Sequence, residues 1–141
     1  QPIASGTYAI PSATYPTIAS AIADLNTNGV AGPVIFNVGA GIAYTETAPL
    51  GGLALGSSVL NASLTSVNTL KIQKDPSATA SPLISAFTPG TGLADGIFFI
   101  EGADYVTIDG IDLAENAANN TLATANAWME WDVVWWRGYC V

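Results

Sequence analysis

The clearest periodic signal along the chain is helical. Ile18, Ala21, Ile22 and Leu25 fall at i, i+3, i+4 and i+7, which sets four apolar side chains on one stripe of an α-helix. Pro16 and Thr17 supply a start and Asn26-Thr27-Asn28-Gly29 a polar, glycine-ended stop, so the pattern predicts one short amphipathic helix over 17–25. The rest of the chain reads as short strands broken by turn residues. Gly6-Thr7-Tyr8-Ala9-Ile10 precedes the helix and runs into the turn Pro11-Ser12-Ala13-Thr14. After the helix come Pro33-Val34-Ile35-Phe36-Asn37-Val38, bounded by Gly32 and Gly39, and an alternating stretch at 41–47. Shorter beats follow at 59–60, 69–73, 83–86, 96–101, 105–109 and 111–113.

Many short strands and almost no helix leave a sandwich, a barrel or a β-solenoid, since each can pair strands of this length. Two patterns favour the solenoid. Ile97-Phe98-Phe99-Ile100 is a continuous apolar run, whereas the chain alternates from Val106 to Leu113 apart from Gly110. That alternation puts Val106, Ile108, Ile111 and Leu113 inside and Thr107, Asp109 and Asp112 outside, with a kink at the glycine. In a solenoid each strand pairs with its counterparts above and below, so three to five residues suffice and the core is one stacked column. The exposed end of such a column presents open apolar surface and unpaired backbone groups. A helix over 17–25 is a natural cover for it.

Composition supports an extended architecture. Half of the 141 residues are hydrophobic and only 10% are charged, against roughly 25% charged in an average soluble domain. Ser, Thr, Asn and Gly carry the polar role, which suits turns and stacked strands better than the solvated faces of a helical bundle. Eleven acidic residues against three basic ones (Lys71, Lys74, Arg137) give a net charge of −8, so a polyanion such as nucleic acid is repelled. Histidine is absent, which removes Ser-His-Asp and Cys-His pairs and histidine-ligated metals. Cys140 is the sole cysteine, so an intrachain disulfide and a multi-cysteine zinc site are both excluded. No apolar run is long enough for a membrane-spanning helix, and membrane insertion is not expected. Gln1 in place of Met is read as the product of signal-peptide removal, which predicts a secreted or cell-surface protein.

Two stretches carry a resemblance. Gly6-Thr7-Tyr8, Tyr15-Pro16-Thr17-Ile18, Ala21-Ile22, Leu25-Asn26, Gly29-Val30, Gly32-Pro33-Val34, Phe36-Asn37-Val38 and Tyr44-Thr45-Glu46 form the first. Together they resemble the N-terminal cap and first coil of large secreted β-helix proteins common in Bacteroidetes. The stretch from Gly102-Ala103-Asp104-Tyr105 through Asp109-Gly110 to Leu113 is similar to a coil motif of that family and of pectate-lyase-like β-helices generally. The resemblance implies an all-β, right-handed parallel β-helix with an N-terminal capping helix over 1–126. Members of that family look like long, multidomain surface or secreted proteins, often with a C-terminal sorting domain, which is not seen in this sequence. The resemblance fades after about residue 126: Trp128-Met129-Glu130-Trp131 still fits, whereas 132–141 does not look like a further coil.

Candidate chemistry is sparse. Asp104, Asp109 and Asp112 could act as a general acid and base on polysaccharide, but Asp109-Gly110 is also plain turn chemistry, and no Arg or Lys lies among them in sequence. Asp109, Asp112 and Glu115 are the candidate set for calcium, which needs only oxygen ligands. Asn61-Ala62-Ser63 and Asn119-Asn120-Thr121 match the N-glycosylation pattern, a frequent coincidence in a chain rich in Asn, Ser and Thr. Tyr8, Tyr15 and Tyr44 could stack on sugars or pack at the edge of the core. Trp128, Trp131, Trp135 and Trp136 form a large apolar payload over 127–141 that could plug the column, bind a neighbouring subunit or serve as a carbohydrate platform. The function expected is a non-catalytic extracellular structural or adhesive module whose partners are copies of itself or other surface proteins. The alternative is a domain that binds or degrades polysaccharide.

Overall fold

Thr17 starts the helix through a reciprocal cap. Its hydroxyl accepts the Ser20 amide at 3.0 Å, while the Ser20 hydroxyl accepts the Thr17 amide at 3.1 Å. Helix α1 (Ile18–Asn28) follows and buries Ile18, Ala21, Ile22 and Leu25, the four residues of the predicted stripe. It ends at Asn28, later than the expected Leu25, because the last turn makes its own contacts. The Thr27 hydroxyl donates to the Ala23 carbonyl at 2.8 Å and the Asn28 amide donates to Asp24 at 2.6 Å. Gly29, at φ +66°, then takes a backbone turn that a side chain would resist.

The structure, a computed structural model, describes residues 1–88 and 96–118 together with the backbone of Val134–Arg137. The strands are β1 (Gly6–Ile10), β2 (Val34–Val38), β3 (Thr45–Thr47), β4 (Leu53–Leu55), β5 (Leu70–Lys74), β6 (Leu83–Ser85), β7 (Phe98–Glu101), β8 (Val106–Asp109), β9 (Asp112–Ala114) and β10 (Val134–Arg137). They form three sheets, in the orders β1-β2-β5-β8, β3-β6-β9 and β4-β7-β10, and every strand pair is parallel. After β1 and α1, from β2 onward, the chain therefore enters the sheets in rotation, one strand of each before it returns to the first. In the first sheet Val34, Leu70 and Val106 stand opposite one another, 36 residues apart at each step. This register keeps alternate residues on one face through all levels.

One cluster of buried side chains draws on all three sheets and on α1. Phe36 and Ile72 come from the first sheet, Ile84 from the second, Leu55 and Phe98 from the third, and Ile18 and Leu25 from the helix. Each such side chain contributes about 1.5–3 kcal/mol by leaving water. No polar or charged residue is buried among the described residues. The ends of β4 and β7 approach closely: a Cβ added to Gly52 would collide with the backbone carbonyl of Gly96, and one added to Gly56 with that of Glu101. Only glycine permits that approach.

Several expectations need correction. Val59 and Leu60, read as a strand beat, lie in a second helix, α2 (Ser58–Ser63), capped by the Ser57 hydroxyl on the Leu60 amide at 3.0 Å. Strand β4 was not expected. The alternating stretch 41–47 yields only β3, since Gly39 and Gly41 both take positive φ and hold the chain in a turn. The segment 132–141, which does not look like a coil in sequence, contributes β10. It lies beside β7 with Val134 opposite Phe98 and Trp136 opposite Ile100. The inside and outside assignments for Val106 to Leu113 agree with the structure: Val106, Ile108, Ile111 and Leu113 pack against the core and Thr107, Asp109 and Asp112 are exposed.

Candidate functional site

Two places gather polar chemistry, the N-terminal end of the stack and the outer face of its first sheet. At the N-terminal end, Glu46 is the central residue of β3, opposite the fully buried Ile84 one level down. At that first level it meets the start of α1 in place of a strand. Its carboxylate accepts the Ile18 and Ala19 amides at 2.8 and 3.0 Å and the Tyr44 hydroxyl at 2.6 Å. Three donors, two of them amides of the first turn of α1, fix this carboxylate in place. Asn26, at the other end of the helix, closes the edge of β4. Its side-chain amide donates to the Ala54 carbonyl at 2.7 Å and accepts the Gly56 amide at 3.0 Å, as a neighbouring strand would. The Ser57 hydroxyl completes the joint by donating to the Asn26 carbonyl at 2.7 Å.

The tyrosines belong to this end. Tyr15 packs edge-on against Phe36 at 5.1 Å and against Tyr8 at 5.7 Å. The Tyr15 hydroxyl donates to Asp24 at 2.7 Å. Burial, and then the hydrogen bonds to Asp24 and Glu46, push the Tyr15 and Tyr44 phenols above the ordinary range. Both rings are nearly enclosed, so neither offers a sugar a face to stack on, and their hydroxyls reach carboxylates instead of water.

On the outer face of the first sheet, Asn37, Gln73 and Asp109 line up across β2, β5 and β8. Gln73 donates its amide to Asn37 at 2.8 Å, and Lys71 approaches Asp109 at 3.0 Å across the diagonal. Beside this ladder lies a shallow open cleft lined by Gln73, Lys74, Asp75, Pro76, Asp109 and Gly110. Asp75, at its rim, is held below the usual carboxylate range by the Ser77 hydroxyl and backbone amide, both of which donate to it.

The proposed calcium ligands are not brought together. Asp109 leans toward Lys71, Asp112 opens a different sheet, and Glu115 accepts the Asn116 amide. Among the described residues no group of three acidic, histidine or cysteine side chains is placed to hold a metal ion. Asp104 is exposed in the turn before β8 and joins no cluster. Asn61 of the first glycosylation pattern is partly buried, with its amide nitrogen donated to the Glu101 carbonyl at 3.0 Å. The second pattern, Asn119-Asn120-Thr121, lies outside the described residues, as do Trp128 and Trp131. Trp135 and Trp136 are placed by their backbone in β10. No helix among the described residues is long and apolar enough to cross a membrane.

In the sequence Glu46 belongs only to a motif and an alternating stretch, and Asn26 reads only as part of the helix stop and of a motif. The two contacts that matter are 28 residues distant in sequence, and no local spacing announces them. No family model, no curated protein and no solved structure matches this chain.

Proposed function

We propose that the chain is the capped N-terminal portion of a right-handed parallel β-helix that serves as a non-catalytic, extracellular structural or adhesive module. Its repeating surface is there to be presented, or to be extended by stacking on further copies. The rotation of the chain through three parallel sheets and the 36-residue register in the first sheet support the solenoid reading. The observation that carries the functional reading is the difference between the two ends of the stack. Ile72 is fully buried, whereas Ile108, one level further on in the same column, is only partly buried, as are Val106, Ile111 and Leu113. Among the described residues β8 and β9 have no strand on their outer edges; an apolar end of that kind favours association, and contacts that do not close produce filaments. Size-exclusion chromatography over a wide concentration range, followed by electron microscopy, tests this. Concentration-dependent growth supports stacking, and a strictly monomeric protein at high concentration removes it.

The second reading is a polysaccharide-binding or polysaccharide-degrading module, for which the cleft beside Lys74 and Asp109 is the supporting feature. A glycan array read with Asp109→Ala and Asp112→Ala separates the two. Binding that both substitutions abolish supports it, and silence across acidic and neutral glycans counts against it.

A further inference from the structure

The junction between α1 and the strand that follows it contains the dipeptide Asn28-Gly29, and its geometry carries an inference independent of the stacking proposal. Asn28 is the last residue of α1 and is partly buried. Its amide nitrogen donates to Asp24 at 2.6 Å, and its carbonyl oxygen accepts the amino group of Gln1 at 2.8 Å. Gly29 has no side chain to shield its backbone nitrogen, which makes the Asn-Gly pair chemically exposed whenever the backbone is free to turn. In the fold it is not free. The Gly29 amide donates to the Leu25 carbonyl at 2.8 Å, and the Gly29 carbonyl accepts the Ile3 amide at 2.9 Å.

We propose that Asn28-Gly29 is a fold-protected deamidation site whose conversion loosens the cap. The reaction needs only water and base. The Gly29 nitrogen, having lost its proton to solvent, attacks Cγ of Asn28, so that a C–N bond forms. The Cγ–Nδ2 bond then breaks, and the side-chain nitrogen takes up a proton and leaves as ammonia. Water opens the resulting five-membered imide at either carbonyl and yields aspartate or isoaspartate at position 28.

The product is wrong for this place in three ways. A carboxylate at 28 faces Asp24 one turn earlier, at the distance where an amide donor now satisfies it. It adds negative charge to a helix C-terminus with no basic side chain in its last turn, and the cation it meets there is the Gln1 amino group, at the end of an exposed hydrogen bond. Isoaspartate further lengthens the main chain by one carbon between Leu25 and Gly29, where the closing hydrogen bond fits the normal backbone. The disturbance does not stop at the helix. Val30 donates its amide to the Ser63 hydroxyl at 3.0 Å, so the joint between α1 and α2 shifts with it.

Peptide-resolved mass spectrometry of the whole chain, aged in mildly alkaline buffer with and without concentrated urea, tests the protection. Conversion at 28 is expected to be at least about tenfold slower in the folded protein, the ratio for an opening of about 1.4 kcal/mol. Equal rates in the two conditions overturn the proposal, and so does absence of conversion in urea. The deamidated fraction, separated by its extra charge, is then compared with fresh protein by hydrogen exchange. Faster exchange at the α1 amides is expected, and unchanged exchange in both that fraction and Asn28→Asp overturns the second half. Asn28→Ser, which cannot form the imide, keeps the α1 exchange of aged protein at the level of fresh protein.

Discussion

The two ends of the stack meet the same problem with different means. At the N-terminal end the apolar column runs out under α1, whose buried stripe replaces the missing strands of the second and third sheets. Polar groups that a strand would have satisfied find partners there: Glu46 takes the first amides of the helix, and Asn26 takes the outer edge of β4. At the C-terminal end, β8 and β9 each have one neighbour among the described residues, and the core-facing residues Val106, Ile108, Ile111 and Leu113 keep partial contact with water. Closing a column thus takes both an apolar cover and side chains that imitate a strand edge. Among the described residues the cover and the imitation occur together at one end only.

The strongest way to break that comparison is to cut the same column at two levels. Ile72→Ala removes a fully buried side chain that packs between the levels of Phe36 and Ile108, and should cost about 2–5 kcal/mol. Ile108→Ala, at the partly buried level, should cost clearly less, about half as much, because water already reaches the site. Chemical denaturation of the two variants measures the difference. Equal losses would mean that Ile108 is as enclosed in solution as Ile72, and the contrast between the ends would fall.

Glu46→Ala probes the polar half of the N-terminal closure. It leaves the Ile18 and Ala19 amides and the Tyr44 hydroxyl without their acceptor. The expected loss is about 1–3 kcal/mol by denaturation, with faster hydrogen exchange concentrated in the first turn of α1. Glu46→Gln keeps an acceptor oxygen but loses the charge at the helix N-terminus, so it should fall between wild type and Ala. A loss spread evenly over the protein would show that Glu46 does not act through the cap.

These two experiments also mark how much of the molecule could be read from its sequence. Helix α1 was visible because burial of one face imposes a spacing that survives in the sequence, and Thr17 and Gly29 bracket it. The phase of β8 and β9 was visible for the same reason at period two. Helix α2 was not, since it buries Leu60 alone and one apolar residue makes no stripe. Strand β4 has only Leu53 and Leu55 between glycines that read as turn, and the parallel partner that makes it a strand lies about 45 residues later. Glu46 belongs in the sequence only to the alternating stretch 41–47, and nothing local marks that it sits in line with Ile84. Its role exists only once α1 is laid over it.

Alkaline titration sharpens the comparison at the N-terminal end. The phenols of Tyr15 and Tyr44 titrate higher in the folded protein than in the unfolded chain, where tyrosine loses its proton near pH 10. The unfolded state therefore releases protons first as the pH rises, and stability falls with it. Their contribution is complete below about pH 10 and is lost progressively above it. Tyrosinate absorbance followed against pH should show these two phenols ionising only as the protein unfolds. The double substitution Tyr15→Phe and Tyr44→Phe should flatten the alkaline decline. A free, reversible ionisation of the Tyr15 and Tyr44 phenols near pH 10 in folded protein would contradict the placement of both rings.

The smallest effect is expected on the first sheet's outer face, close to the C-terminal end. Lys71 and Asp109 meet at 3.0 Å, but their side chains are 34% and 60% exposed. Solvent of that extent screens the attraction, and both side chains must give up rotamer freedom to hold it, so Lys71→Ala should cost about 0–1 kcal/mol. The cost should shrink further in high salt, where the screening length falls to about 3 Å at 1 M. A double-mutant cycle with Asp109→Ala isolates the pair from the other contacts of each residue. A coupling well above 1 kcal/mol would mean that this corner is shielded from water in solution. Something would then cover the C-terminal levels as α1 covers the first, and the two ends would differ in the identity of their covers alone.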